Sequence, residues 1–178
     1  MENNRKNLWI SFGFAIFAFV AGIVFLLTSN YKNLTEKDVI EIQISFDRIR
    51  QNNAGDGDYR YIIYTTDDSR TYIVNNVVNR YFDYARFNTN VKRGDILTMK
   101  VYKTRYENNR NPITVFSVQK GTQTYLEFSQ AFDKLKNNSK FTFIAGAILT
   151  PVSVSAITIV TVLLLIQKKK EKDNKKEM

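Results

Sequence analysis

Residues Phe141 to Ile166 form an unbroken run of 26 side chains without a charge, closed by Gln167 and three lysines. At about 1.5 Å per helical residue the run exceeds the ~30 Å hydrocarbon core of a bilayer. Inside lipid every backbone N–H and C=O needs an internal partner, which restricts a lone segment of this kind to a helix. A second uncharged run, Leu8 to Thr28, lies near the other end. Together they divide the chain into an N-terminal segment (1–7), transmembrane helix one (8–28), a central domain with its linkers (29–140), transmembrane helix two (141–166) and a lysine-rich tail (167–178).

The first run has 21 residues and no small-x-small site after Leu26-Leu27. Signal peptides carry roughly 7–15 apolar residues before such a site, so this run reads as an uncleaved anchor. Ser11, Ala15, Ala18 and Gly22 recur at spacings of four, three and four, and Gly146, Thr150 and Ser153 offer a similar stripe on the second helix. Small residues let helix backbones approach in lipid, so Ala18, Gly22, Gly146 and Thr150 are the expected packing positions. Pro151 removes one backbone hydrogen bond and predicts a kink, with Thr150, Ser153 and Ser155 near enough to serve the freed carbonyl.

Arg5 and Lys6 precede the first run, and Lys168, Lys169, Lys170, Lys172, Lys175 and Lys176 follow the second. Basic residues beside membrane spans stay cytoplasmic, so both termini are expected in the cytoplasm of a two-pass protein and the central domain outside. The lysine tail is expected along anionic headgroups.

Between the runs the hydropathy pattern changes. Ile40, Ile42, Ile44 and Phe46 alternate with Glu41, Gln43, Ser45 and Asp47, a half-buried strand. Asn52 to Asp58 has turn composition, Tyr59 to Thr65 and Arg70 to Val74 read as strands, and Asp67-Asp68-Ser69 as a turn. Val77, Val78, Tyr81, Phe82 and Ala85 then follow helical spacing over Asn76 to Phe87, with Asn75 or Asn76 as N-cap. Ile96 to Tyr102 is a fourth strand with Leu97, Met99 and Val101 on one face. Thr104 to Pro112 is a polar loop, and Ile113 to Gln119 is a fifth strand ended by Gly121. Phe128, Ala131, Phe132 and Leu135 mark an amphipathic helix leading into the second membrane run.

The fold class expected is therefore membrane α plus a small β-rich domain. Two transmembrane helices flank five strands and a helix in the order β-β-β-α-β-β-α, the element order of an OB-like five-stranded barrel. In this architecture, and in the phrase Val91-Lys92-Arg93-Gly94-Asp95-Ile96-Leu97, the chain resembles a broad class of uncharacterised bacterial two-pass membrane proteins. These carry one small extracytoplasmic β-domain between their helices. The resemblance implies the topology and no particular activity.

The chain has a net charge of +9, no His and no Cys. Disulfides, thiolate nucleophiles, zinc ribbons and Cys–His or Ser–His hydrolases are excluded on that ground, and the commonest metal ligand is missing. The Asn52 to Asp58 loop fails EF-hand spacing, because with Gly57 as the turn glycine position twelve would be Ile63. No acid–base pair stands out. No cofactor, metal or catalytic residue is expected, and the protein reads as a non-enzyme.

Basic and aromatic residues do interleave on the predicted strands. Arg60, Tyr64, Lys100, Tyr102, Lys103 and Arg105 form the candidate partner-binding set. Tyr and Arg enrich protein interfaces, so a protein partner in the cell envelope is the first expectation, for a binding or accessory subunit. An anionic envelope polymer or lipid headgroup is the alternative. Single-stranded nucleic acid ranks last, since the domain's own basic excess is small.

Overall fold

A computed structural model of the chain describes residues 2–55, 58–67 and 69–174. Asp56 and Gly57 of the expected Asn52 to Asp58 turn, Asp68 of the next turn, and Lys175 and Lys176 of the tail lie outside the described residues. Two compact units emerge, one of Met1–Lys32 with Ser139–Met178 and one of Asn33–Asn138.

The helical unit consists of α1 (Glu2–Thr28) and most of α4 (Phe128–Asn174). Both contain segments long and apolar enough to cross a membrane. The buried positions on α1 and just past its end are Ala15, Gly22 and Ser29, seven residues apart, and those on the part of α4 in this unit are Ser139, Gly146, Ser153 and Val160, again seven apart. A sevenfold repeat keeps one seam facing a partner helix along its whole length. The helices run antiparallel, since Gly22 meets Thr150 and Gly146 while the Tyr31 N–H donates to Ser139 Oγ at 2.9 Å. Lys32 Nζ lies 3.6 Å from the Phe143 ring centre at that same end. Large apolar side chains point away from the seam; Phe17 and Phe141 are 74% and 73% exposed.

Pro151 sits inside a continuous α4. The hydroxyls expected to serve the carbonyl it frees, that of Ala147, bond elsewhere. Thr150 Oγ1 donates to Gly146 O, Ser153 Oγ to Leu149 O and Ser155 Oγ to Pro151 O, each reaching four residues back. That is the standard reach of a helical Ser or Thr, and it fixes the acceptor whatever stands nearby.

Among the described residues the second unit holds a six-stranded, mainly antiparallel sheet, one strand more than expected. Its strands are β1 (Val39–Gly55), β2 (Asp58–Thr65), β3 (Thr71–Val74), β4 (Ile96–Tyr102), β5 (Ile113–Lys120) and β6 (Gln123–Leu126). The sheet order is β3-β2-β1-β4-β5-β6, with a further parallel pairing of β3 to β5. The strand overlooked is β6. It follows β5 through Gly121-Thr122, and Lys120 pairs with Gln123 across this two-residue turn. Gly121 supplies the positive φ, 57°, that such a hairpin needs at its first turn position.

β6 also accounts for the second departure. In place of one helix over Asn76 to Phe87, a 3-10 turn spans Asn76–Tyr81 and α2 spans Tyr84–Asn90. Between them Phe82 is extended and bridges Leu126, and the Asp83 N–H donates to Tyr125 O at 2.8 Å. Pairing with β6 overrides the helical spacing at this point. Each half then carries its own cap: Asn75 accepts from the Val77 N–H, and Asp83 from the Arg86 N–H. The third departure is α3 (Lys103–Glu107), a short helix where a loop was expected.

β1 is long because it changes partner midway. Residues 39–45 pair with β4 and residues 46–55 with β2. The backbone groups at the changeover are met by turns. Phe46 N–H donates to Asp95 O and Gly94 N–H to Phe46 O, while Ser45 N–H donates to Asp67 Oδ2. Gly94, at φ 88°, makes the Lys92-Arg93-Gly94-Asp95 turn possible. The alternation expected of β1 is present: Ile44 and Phe46 are buried, Ile40 and Ile42 half-buried, Glu41 and Gln43 exposed. In register, Ile40, Ile42 and Ile44 stand across from Val101, Met99 and Leu97, all three fully buried. β5 is buried on both faces from Ile113 to Val118. The start of α4 covers one of those faces, with the Phe116 and Phe132 rings 6.0 Å apart.

Candidate functional site

The six candidate residues divide into two groups along β1. Lys100 stands across from Glu41 and Tyr102 across from Val39, at the beginning of β1. Arg60 stands across from Asn52 and Tyr64 across from Arg48, towards its end. Glu41 and Asn52 are eleven residues apart, up to about 36 Å of extended strand at ~3.3 Å per residue. Arg60 therefore does not join Lys100 in one patch.

Of the first group Lys100 lines a cleft of about 240 Å³, together with Glu36, Val39, Ile40, Glu41 and Phe128. Strand alternation puts Lys100 here. Its neighbours Met99 and Val101 point into the core, so the lysine points outward, with its Nζ 4.4 Å from the Phe128 ring centre. An ammonium over a ring face is attracted by about 0.5–1 kcal/mol at an exposed site and by ~2 kcal/mol when desolvated. Glu36 opens a 3-10 turn whose start is held by Thr35 and Asp38. Thr35 donates its N–H and its hydroxyl to Asp38 Oδ2, each at 2.8 Å. Those two hydrogen bonds, side-chain first, hold the Asp38 carboxyl below its ordinary value, with Lys103 adding a small favourable charge.

The cleft therefore offers two carboxylates, one ammonium and an apolar floor from Val39, Ile40 and Phe128. Beside it, Lys103 lies 3.9 Å from Glu107 in an exposed ion pair, and Arg105 Nη1 donates to Pro112 O at 3.0 Å. Tyr102 is half-buried.

Of the second group, Arg60 is exposed and Tyr64 is engaged within the domain. The Arg48 guanidinium sits 4.3 Å over the Tyr64 ring and is drawn to Asp47 at 2.6 Å, which Arg93 shares at 2.9 Å. Arg70 covers Tyr106 in the same way at 4.2 Å. These stacks occupy ring faces that a base would need. Tyr61 stacks on Tyr84 at 4.7 Å, and burial pushes its hydroxyl pKa up.

Glu36, Val39, Glu41 and Phe128 were not among the candidate binding residues expected from sequence. The outward alternation of Glu41 and Lys100 was visible, but their pairing depends on the β1–β4 register. Among the described residues no group of three or more Asp, Glu, His or Cys is placed to hold a metal ion.

On the helical unit, Gly22 and Gly146 lie in the seam and Ala18 is half-buried beside it. A Cβ on Gly22 would fall 2.6 Å from Thr150 Oγ1 and 3.0 Å from its backbone nitrogen; one on Gly146 would fall 2.8 Å from Gly22 O. Ser11, expected in the same stripe, is exposed. No known protein family matches the chain, and neither curated proteins nor solved structures give a significant match.

Proposed function

We propose that the chain is a two-pass integral membrane protein of a cell envelope, with both termini cytoplasmic, that presents an OB-like β-domain outside the membrane as a non-enzymatic accessory subunit. The membrane part is supported by the inverted helical unit: small side chains fill its seam and large apolar ones its exterior, the arrangement lipid favours. The OB-like part is supported by the strand circuit, in which β1 pairs with β2 and β4 while β3 pairs with β2 and β5, so that β1, β2, β3, β5 and β4 return on themselves.

The observation that carries the binding role is the cleft beside Lys100. Opposite charges around an apolar floor suit a protein side chain better than a uniform polyanion, which Glu36 and Glu41 would repel. The polyanion reading is further weakened by the arginines already stacked on Tyr64 and Tyr106.

A photo-crosslinking amino acid placed at Glu41, in the full chain in its native membrane, should give one discrete protein adduct, and one at Arg60 should not. Adducts of equal yield from both positions, or none from Glu41, would contradict a partner at the cleft.

A further inference from the structure

The seam of the helical unit changes character towards the start of α1 and the end of α4. From Ala15 to Ser29 its sevenfold positions are Ala, Gly and Ser, and α4 answers with Ser153, Gly146 and Ser139. One repeat further out the same positions hold Leu8 on α1 and Val160 on α4, and a second repeat on α4 reaches Gln167. Larger side chains no longer allow backbone contact, and a groove of about 440 Å³ opens between the helices. Leu8, Leu163 and Ile166 are its apolar lining, or floor, and Asn7, Gln167 and Lys170 its polar lining, or rim; Ser11 also lines it from α1.

We propose that this groove is a binding site for an anionic phospholipid of the surrounding leaflet. The inference rests on the membrane reading above, since the occupant comes from the bilayer. Its chemistry follows from the order of side chains along α4. Ile166 ends the uncharged run and Gln167 and Lys170 begin the polar end, so floor and rim meet at the depth where acyl chains give way to headgroups. Lys170 is positioned to neutralise a phosphate, the Asn7 and Gln167 amides to donate to its oxygens, and the three apolar residues to carry the first methylenes of an acyl chain. Lys168 and Lys169 add positive field nearby. Basic pockets between membrane helices hold anionic headgroups in this way. A phosphocholine headgroup would bring its own fixed cation beside Lys170 and lose that advantage.

The test uses the full chain purified in detergent, titrated with phosphatidylglycerol or phosphatidylcholine and read by native mass spectrometry. One phosphatidylglycerol should bind per chain, in preference to phosphatidylcholine. Lys170→Gln should weaken it about fivefold, the equivalent of ~1 kcal/mol per basic residue, whereas Lys169→Gln, outside the groove, should change it less than about twofold. Ser11→Phe, which fills the groove from α1 without altering charge, should abolish the adduct. Equal losses from Lys169→Gln and Lys170→Gln, equal binding of the two lipids, or an undiminished adduct in Ser11→Phe would each overturn the site. Washing native membranes with alkaline carbonate reports the underlying reading separately. A chain that washes out refutes the membrane span; a chain that stays in the pellet yet binds no lipid selectively refutes the site alone.

Discussion

The helical unit and the β-domain bury opposite kinds of residue. In the helical unit the seam holds Ala15, Gly22, Ser29, Gly146 and Ser153, while phenylalanines and leucines face outward. In the β-domain Leu97, Met99, Val101, Phe116 and Phe87 are inside, and the outward positions of β1 carry Glu41 and Gln43. The solvent decides which arrangement is stable. In water, removing apolar area is the main driving force, about 25 cal/mol per Å². In lipid that force vanishes between helices, and close backbone approach with internal hydrogen bonds takes over. One chain with both patterns is what the proposed membrane span and its attached water-facing domain require.

The same change should therefore act differently in the two units. The largest effect is expected in the β-domain. Leu97→Asp places an unpaired charge in a fully buried position and should cost on the order of 4 kcal/mol, a large part of a typical ~5–15 kcal/mol total. Limited proteolysis of the full chain should then cut within 33–138 while the protein remains membrane-bound. Resistance equal to the parent would remove Leu97 from the core. Next comes Gly22→Leu, which enlarges a seam residue. It should loosen α1 from α4 by about 1 kcal/mol, whereas Gly13→Leu on the same helix should be silent, because a Cβ at Gly13 meets nothing within 4 Å. Thermal stability in detergent checks the pair, and equal effects would place Gly22 outside the seam.

Much of this was legible in the sequence, and what was missed has physical causes. Strand β1, its core face and its match to Leu97, Met99 and Val101 could be read from period-two alternation. The start of α4 could be read from Phe128, Ala131, Phe132 and Leu135. The seam was half seen. Gly22, Gly146 and Thr150 meet, but the repeat is seven residues, so Ser11 falls outside it and Ser29 and Ser139 belong to it. β6 was missed because four residues after a Gly-Thr turn give too short a pattern. The broken helix at Phe82 followed from that omission, since only pairing with Leu126 explains it. The cleft depends on register and on a helix 28 positions beyond Lys100, and no local pattern encodes such a meeting.

Acid should separate the units further. Asp95 accepts from the Lys120 ammonium and the Lys92 N–H, both at 2.6 Å, and the bond to Lys120 comes first in holding its pKa below the ordinary aspartate value of about 3.9. A carboxyl with a lowered folded-state pKa adds stability that is present above its unfolded value and is lost as pH falls through the folded one. The β-domain should thus weaken below about pH 4, and Asp95→Asn should flatten that dependence. The membrane runs 8–28 and 141–166 contain no charged residue and should not respond. Circular dichroism of the full chain against pH checks both. The smallest effect is expected from Gln43→Asp, on the outward face of β1, which should stay within about 0.5 kcal/mol of the parent. A collapse comparable to Leu97→Asp would mean that β1 is one residue out of register.

The central claim is that the two units face different media, with the β-domain on one side of a membrane and both termini on the other. The chain has no native Cys, so single cysteines report position without background. Ser69, exposed on the β-domain, is replaced by Cys in one version and Asn174, at the end of α4, in another. In intact cells a membrane-impermeant maleimide should label the Ser69→Cys chain at once and the Asn174→Cys chain only after the membrane is permeabilised. Labelling of both before permeabilisation, or of Asn174→Cys alone, would contradict the account.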